Sequence, residues 1–173
     1  MSRIDKRNIT EKLYRNIPII LLFISILNEI NFNNLGLKYF SFNFSYILIF
    51  YYSLKKEEGL GYVLIFTAGL INDVIVGTPM GISSLIYLLL CGFATYLRNI
   101  TLRPSMIKDW IFFLITLLIL NSLSFLILIL IFNFEINYLD QIINIIFTFL
   151  FYFVFSFIFD FLGNFLFGKY HVG

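Results

Sequence analysis

Long apolar runs, separated by short polar segments, dominate this chain and restrict what it can fold into. The runs lie at roughly 16–34, 40–54, 60–77, 80–97, 110–132 and 139–167. About 20 apolar residues are what an α-helix needs to cross a bilayer. Only 13% of the residues are charged, against about 25% in an ordinary soluble domain, so a globular surface could not be covered with polar groups. The sequence therefore predicts an all-α integral membrane protein, a bundle of six transmembrane helices.

The second apolar run is too short to fit this scheme without adjustment. Its fifteen residues would reach only about 22 Å as a helix, short of a hydrocarbon core of about 30 Å. Three explanations are compatible with the sequence. The helix extends back to Leu37, or it thins the bilayer locally, or neighbouring helices shield it from lipid.

Basic residues are distributed unevenly between the two sides of the predicted bundle. With a cytoplasmic N-terminus, eleven of the twelve lysines and arginines fall on the cytoplasmic side, and only Lys38 lies outside. By the positive-inside rule, both termini are expected in the cytoplasm, and the first run is expected to be an uncleaved helix. The expected organisation is a basic tail at 1–15, a membrane domain at 16–168 and a short cytoplasmic tail at 169–173.

Residues that could support catalysis or metal binding are scarce. The single cysteine, Cys91, and the single histidine, His171, offer no disulfide framework and no zinc site. No phosphate-binding loop, zinc-protease motif or dinucleotide fingerprint is found. We therefore expect no catalytic residues, no metal and no cofactor. Basic residues with interleaved aromatics here are typical of membrane edges, so no nucleic-acid partner is expected.

The segment GLINDVIVGTPMG, residues 69–81, is the most informative motif. It places Asp73 inside an apolar run, where a charge costs about 3 kcal/mol. Such a residue is expected to face protein or water, either for a function or only to fix helix packing. Gly77 and Gly81 enclose a tight outer turn, and Pro79 is expected to open the fourth helix. Gly69 would permit a close helix contact.

Two polar clusters are candidates for functional sites. The outer cluster combines Asn28, Glu29, Lys38 and Asp73. The inner site combines Asp160 with Arg98 and Lys56. In both, a lysine or arginine would offset the charge of a carboxylate at membrane depth.

The last apolar run contains polar residues spaced four apart. They are Asn144, Thr148, Tyr152, Ser156, Asp160 and Asn164. That spacing forms one ridge along a helix, and polar side chains are better placed between helices than against lipid. The ridge is therefore expected to pack inside the bundle, although a chance pattern is the alternative.

The chain resembles the MreD family of rod shape-determining proteins. The residues that carry the resemblance are Gly69, Leu70, Asp73, Gly77, Pro79, Met80 and Gly81. A short aromatic second helix and a basic loop after the fourth helix also fit. One departure lies at 55–58, where the family pattern has a basic residue followed by proline. The resemblance implies a fold like that of the substrate-binding components of energy-coupling-factor transporters, with a pocket open outward.

The same resemblance implies a function and partners. It suggests a non-enzymatic component of the cell-wall elongation complex in the bacterial inner membrane, acting in control of peptidoglycan synthesis and rod shape. Expected partners are an MreC-like scaffold, a SEDS glycosyltransferase, a class B penicillin-binding transpeptidase and membrane lipids. The small residues Ser83, Ser84 and Gly92 are the candidate scaffold-binding face, because small residues permit close helix packing. The alternative is a vitamin-type transporter component of similar fold.

Overall fold

The computed structural model describes residues 17–27, 42–55, 60–101, 105–133 and 137–167, with the side chains of the last helix described as far as Leu162. The helices are α1 (Ile17–Leu27), α2 (Phe44–Lys55), α3 (Tyr62–Val76), α4 (Ile82–Ile100), α5 (Met106–Phe132) and α6 (Tyr138–Phe167). No strand occurs among the described residues. The prediction of an all-α bundle of six helices is confirmed.

The helices differ in how far they could reach across a bilayer. By length and composition, α4, α5 and the described part of α6 are long and apolar enough to cross a membrane, whereas α1 and α3 are apolar but shorter. The described part of α1 ends at Leu27, so the rest of the first predicted run, 28–34, lies outside the described residues. With their many exposed Leu, Ile and Phe side chains, the long helices are those of a membrane protein.

The short second helix lies at the centre of the bundle. Its eight consecutive residues from Ile47 to Leu54 are all buried, so the helix is covered on every side. Packing against α4 and α6 provides much of this cover, and Ser25 of α1 hydrogen-bonds Ser45 at 2.7 Å. Of the three explanations for its shortness, shielding by neighbouring helices is the one that the structure shows.

The polar ridge of α6 faces this central helix, as expected. Thr148, Tyr152 and Ser156 are buried, and Asp160 accepts a hydrogen bond from the Tyr51 hydroxyl at 2.7 Å. Nearby, phenylalanines of α6 stack on α2 and its approach, with Phe42 and Phe151 rings 4.7 Å apart. For the members of the ridge whose side chains are described, the packing prediction is confirmed.

Two predicted helix boundaries were wrong at the α4–α5 connection. The fourth helix continues through Arg98 to Ile100, and the fifth begins at Met106 rather than at residue 110. Hydropathy ends a segment where charge begins, but Arg98, Lys108 and Asp109 are compatible with helical backbone. The long side chains of Arg98 and Lys108 can also reach polar surroundings from within a helix, and Asp109 pairs with Lys55. The loop that hydropathy predicted as 98–109 is therefore much shorter.

Candidate functional site

The bundle has two ends that carry polar residues. We call the end with the α3–α4 turn, residues 77–81, the hairpin end. The end with the α4–α5 connection, residues 101–105, is the loop end. The first turns of α4 and α6 lie at the hairpin end, where both border the same cavity as Thr78. The last turn of α2 lies at the loop end, where Lys55 contacts Asp109 of α5.

The Asp73 carboxylate of α3 binds the turn and the start of α4 at the hairpin end. This fully buried residue accepts hydrogen bonds at Oδ1 from the Thr78 hydroxyl and the Ser83 amide, both at 2.9 Å. Its Oδ2 accepts from the Gly81 amide at 2.7 Å. Two of these donors are amides at the start of α4, which have no partner within their own helix. Asp73 thus caps α4 from the neighbouring helix, where its charge also suits the helix dipole.

Two glycines shape the turn that makes this capping possible. Gly77 (φ 76°) and Gly81 (φ 101°) both have left-handed backbone conformations, which favour glycine. The Gly77 and Thr78 amides also donate to the Asp73 carbonyl, at 2.9 and 3.1 Å. The predicted tight turn is present. The prediction that Pro79 opens α4 was wrong, because the positive φ of Gly81 delays the start of the helix to Ile82.

A close crossing of α3 and α4 lies one turn below the Asp73 cap. A Cβ atom at Gly69 would stand 2.4 Å from the Ser84 Cα and 2.5 Å from the Ser84 amide nitrogen, so only glycine fits. The Ser84 hydroxyl donates to the Phe66 carbonyl at 2.9 Å, and Asn72 Nδ2 donates to the Ser83 hydroxyl at 3.0 Å. The predicted role of Gly69 in helix contact therefore agrees with this geometry.

A polar cavity of about 430 Å³ opens beside the hairpin. Its carboxamides are Asn43, Asn72, Asn121, Gln141 and Asn144. Its hydroxyls from serine and threonine are Ser25, Ser45, Thr78, Ser83 and Ser124. Every described helix contributes to this wall, and Thr78 and Ser83 link it directly to Asp73. We call this space the hairpin-end cavity.

At the loop end, side chains of α2 bind the buried Asp109 carboxylate and the half-buried Asp160 carboxylate. Lys55 Nζ lies 3.6 Å from Asp109 Oδ2, and the Tyr51 hydroxyl donates to Asp160. Arg98 Nη1 donates to the Ser53 carbonyl at 3.2 Å. The end of α2 thus receives contacts from α4, α5 and α6, which ties the central helix to its surroundings.

The predicted polar clusters are only partly covered by the described residues. In the outer cluster, Asn28, Glu29 and Lys38 lie outside the described residues. Asp73 faces protein, as expected, and its described partners all belong to its own hairpin. In the inner site, Lys56 lies outside the described residues. Asp160 and Arg98 reach α2 through Tyr51 and Ser53 respectively.

The candidate scaffold-binding face needs one correction. Ser84 is buried against α3 and cannot face a partner in this arrangement. Ser83 is half-buried and already accepts a hydrogen bond from Asn72. Gly92, by contrast, is exposed, and a Cβ atom there would meet nothing within 4 Å. Of these three small residues, Ser83 and Ser84 thus serve contacts within the bundle, and Gly92 lies on its open surface.

Sequence reasoning missed two polar contacts at the loop end. It did not single out Asp109 or Trp110, whose Nε1 donates to the Phe149 carbonyl at 2.9 Å with the two rings 4.4 Å apart. Asp109 lies where hydropathy marked a loop, and Trp110 is the first residue of the predicted fifth run. A signal was available, since Ser105 followed by Asp109 in the first turn is typical of a helix N-terminus.

Together, the apolar helices, the buried central helix and the self-capped hairpin define a small helical membrane protein. Among its described residues, no three His, Cys, Asp or Glu side chains are grouped so that they could hold a metal ion. The sequence model of the family described as rod shape-determining protein MreD matches residues 10–164, so the chain belongs to the MreD family. Neither curated proteins nor solved structures gave a significant match. Membership makes the chain a component of the rod-shape-determining system.

Proposed function

We propose that the chain is a non-enzymatic membrane component of the bacterial cell-wall elongation complex, which binds an MreC-like scaffold and helps control peptidoglycan synthesis. Family membership supports the shape-determining role. A SEDS glycosyltransferase and a class B penicillin-binding transpeptidase would belong to the same complex. A structural role for the described carboxylates at membrane depth supports a non-enzymatic function. Asp73, Asp109 and Asp160 each bind another residue of the bundle.

The proposed location is the inner membrane, with both termini in the cytoplasm and the hairpin end facing the periplasm. The distribution of basic residues supports this orientation, since eleven of twelve fall on the proposed cytoplasmic side. Cysteines introduced at Ser2 and Asn137 provide the test with a membrane-impermeant thiol reagent. Periplasmic labelling at Ser2, or none at Asn137, would contradict the topology.

The exposed face of α4 is the surface that we propose for the scaffold. Leu85, Gly92, Tyr96 and Asn99 are all exposed and lie seven, four and three residues apart, so they share one side of the helix. A single transmembrane helix binds another by close packing, because lipid provides little hydrophobic drive. The open position at Gly92 is the observation that carries the proposal, since internal packing does not explain it.

Site-specific photo-crosslinkers can test this surface in native membranes. We expect probes at Gly92 and Tyr96 to capture the scaffold more strongly than probes at Phe153 and Phe157, which are also exposed but lie on α6. Mass spectrometry of the captured protein would identify it. Equal or stronger capture from α6 would reject the α4 face while leaving membership in the complex intact.

A substitution pair separates partner binding from folding. Gly92→Leu fills the open position, so it should reduce co-purification of the scaffold and rescue of rod shape without lowering thermal stability. Ser122→Leu adds the same side chain at another exposed small residue, on α5, and should leave both unchanged. If Gly92→Leu co-purifies the scaffold at the wild-type level, the α4 face is not the docking surface.

A further inference from the structure

The hairpin-end cavity is rich in groups that both donate and accept hydrogen bonds. Carboxamides and hydroxyls make up most of its polar wall, and each of these groups can serve a ligand in either direction. Its volume of about 430 Å³ lies within the range of about 300–1,000 Å³ that is typical of small-molecule pockets. The cavity is therefore suited in size and chemistry to one small polar molecule.

Part of the hydrogen-bonding capacity of this wall is not used by the described residues. Asn72 donates to Ser83, and Asn121 donates to the Leu117 carbonyl at 2.9 Å. Within the described part of the chain, the side-chain carbonyls of both asparagines accept no hydrogen bond. The side chains of Gln141 and Ser124 likewise bond no other described residue, although both face the cavity. These groups remain available to a molecule inside it.

The charge of the wall narrows the class of ligand. Among the described residues that line the cavity, Asp140 is the one charged side chain, and no lysine, arginine or histidine is present. The Asp73 carboxylate lies directly behind Thr78 and Ser83. Among the described residues, an anionic ligand would meet negative charge with no cation to offset it, which opposes binding. A neutral ligand meets no such penalty.

The wall also includes flat apolar surfaces. Phe42, Phe44 and Tyr46 lie along it, and Phe42 is held by stacking on Phe151. Aromatic rings beside carboxamides and hydroxyls match a ligand that has apolar C–H faces and a rim of hydroxyls. We propose that the hairpin-end cavity binds a neutral saccharide unit, supplied either as a free sugar or as the headgroup of a membrane glycolipid. This inference does not depend on the scaffold proposed above.

A cysteine-protection experiment can test the proposal on the full chain in lipid nanodiscs. Ser124→Cys places a thiol in the cavity wall, while the native Cys91 is buried and serves as the background control. One arm adds a free neutral N-acetylhexosamine disaccharide. The other incorporates a neutral glycosyl diacylglycerol into the nanodisc. We expect at least one arm to slow modification by a water-soluble thiol reagent, and the arm that does so identifies the source of the sugar.

Matched variants show whether the cavity is responsible. Asn121→Leu removes a carboxamide from the wall and should weaken protection about tenfold, the effect of one lost hydrogen bond. Ser122→Leu changes the next residue, which does not line the cavity, and should have no effect. A uronic-acid analogue of the disaccharide should protect less than the neutral sugar.

Several results would overturn the proposal. These are no protection from either sugar source, equal protection by the acidic analogue, or equal protection in Asn121→Leu. If Ser124→Cys does not fold, saturation-transfer NMR on the wild-type chain with the same disaccharide and its acidic analogue decides the question. Absence of transfer from the disaccharide, or equal transfer from both compounds, would then reject it.

Discussion

The two ends of the bundle provide hydrogen-bond and ion-pair partners for their carboxylates in opposite ways. At the hairpin end, Asp73 accepts hydrogen bonds from a hydroxyl and two backbone amides, all within ten residues along the chain. At the loop end, Asp109 and Asp160 depend on Lys55 and Tyr51, which are side chains of α2 distant in sequence. The first arrangement is a local motif, and the second is a product of tertiary packing.

This difference should appear in the unfolding free energy that is lost when each carboxylate is replaced. Backbone amides at a helix start have no acceptor within their own helix, and the Asp73 carboxylate that accepts from them is fully buried. At the loop end, Lys55 is partly exposed, so water can replace part of what the pair provides. We therefore expect substitutions at the hairpin end to cost more stability than substitutions at the loop end.

Replacing Asp73 should have the largest effect. Asp73→Leu leaves the Gly81 and Ser83 amides and the Thr78 hydroxyl without their acceptor, and each loss costs about 1–3 kcal/mol. We expect a total of about 3 kcal/mol or more, measured as unfolding free energy in bicelles. Asp73→Asn keeps one acceptor oxygen and should cost less. Asp140→Leu changes an exposed carboxylate at the same end, in the first turn of α6. Asp140 accepts a hydrogen bond from the exposed Asn137, so the expected effect of this control is below about 1 kcal/mol.

The next largest loss of stability is expected at Gly69 of α3, and Gly92 of α4 provides the comparison. Gly69→Ala would force a Cβ against the α4 backbone, and overpacking of this kind costs about 2 kcal/mol. Gly92→Ala meets no atom within 4 Å and should be neutral or stabilising by up to about 1 kcal/mol, because alanine is the better helix former. Thermal unfolding followed by size-exclusion chromatography can rank them. Equal losses would mean that the close crossing does not hold α3 to α4.

The contrast between the ends also explains what could be predicted from the sequence. Helix number, the inward orientation of Asp73 and the glycine turn follow from hydropathy and from one contiguous motif. The contacts of Asp109 and Asp160 do not, because they depend on which helices surround α2. The burial of Ser84 could not be predicted either, because a small residue that faces a neighbouring helix cannot be distinguished in sequence from one that faces lipid. The family resemblance implied a pocket open outward, but the residues that line the cavity could not be predicted, because its wall combines residues from all described helices.

A smaller effect is expected from the Tyr51–Asp160 hydrogen bond. Tyr51→Phe keeps the ring in place between α2 and α6 and removes only the hydroxyl donor. A hydrogen bond to a carboxylate contributes about 1.5 kcal/mol. Tyr46→Phe removes a hydroxyl from the same helix that bonds no described residue, and it should cost less than about 0.5 kcal/mol. A loss at Tyr51 as large as that at Asp73 would remove the proposed difference between the ends.

The smallest effect should come from the Lys55–Asp109 ion pair. Its nitrogen–oxygen distance is 3.6 Å, and the Lys55 side chain is 30% exposed, so solvent screens the pair. A double-mutant cycle with Lys55→Met and Asp109→Asn isolates the pairwise term, which we expect to be about 0.5–1 kcal/mol. Raising the salt concentration from 0.05 to 0.5 M should reduce it, because an exposed charge is screened within a shorter distance. A coupling energy that is large and insensitive to salt would mean that this pair is sealed from water. The loop end would then be held as rigidly as the hairpin end, by side chains rather than by backbone.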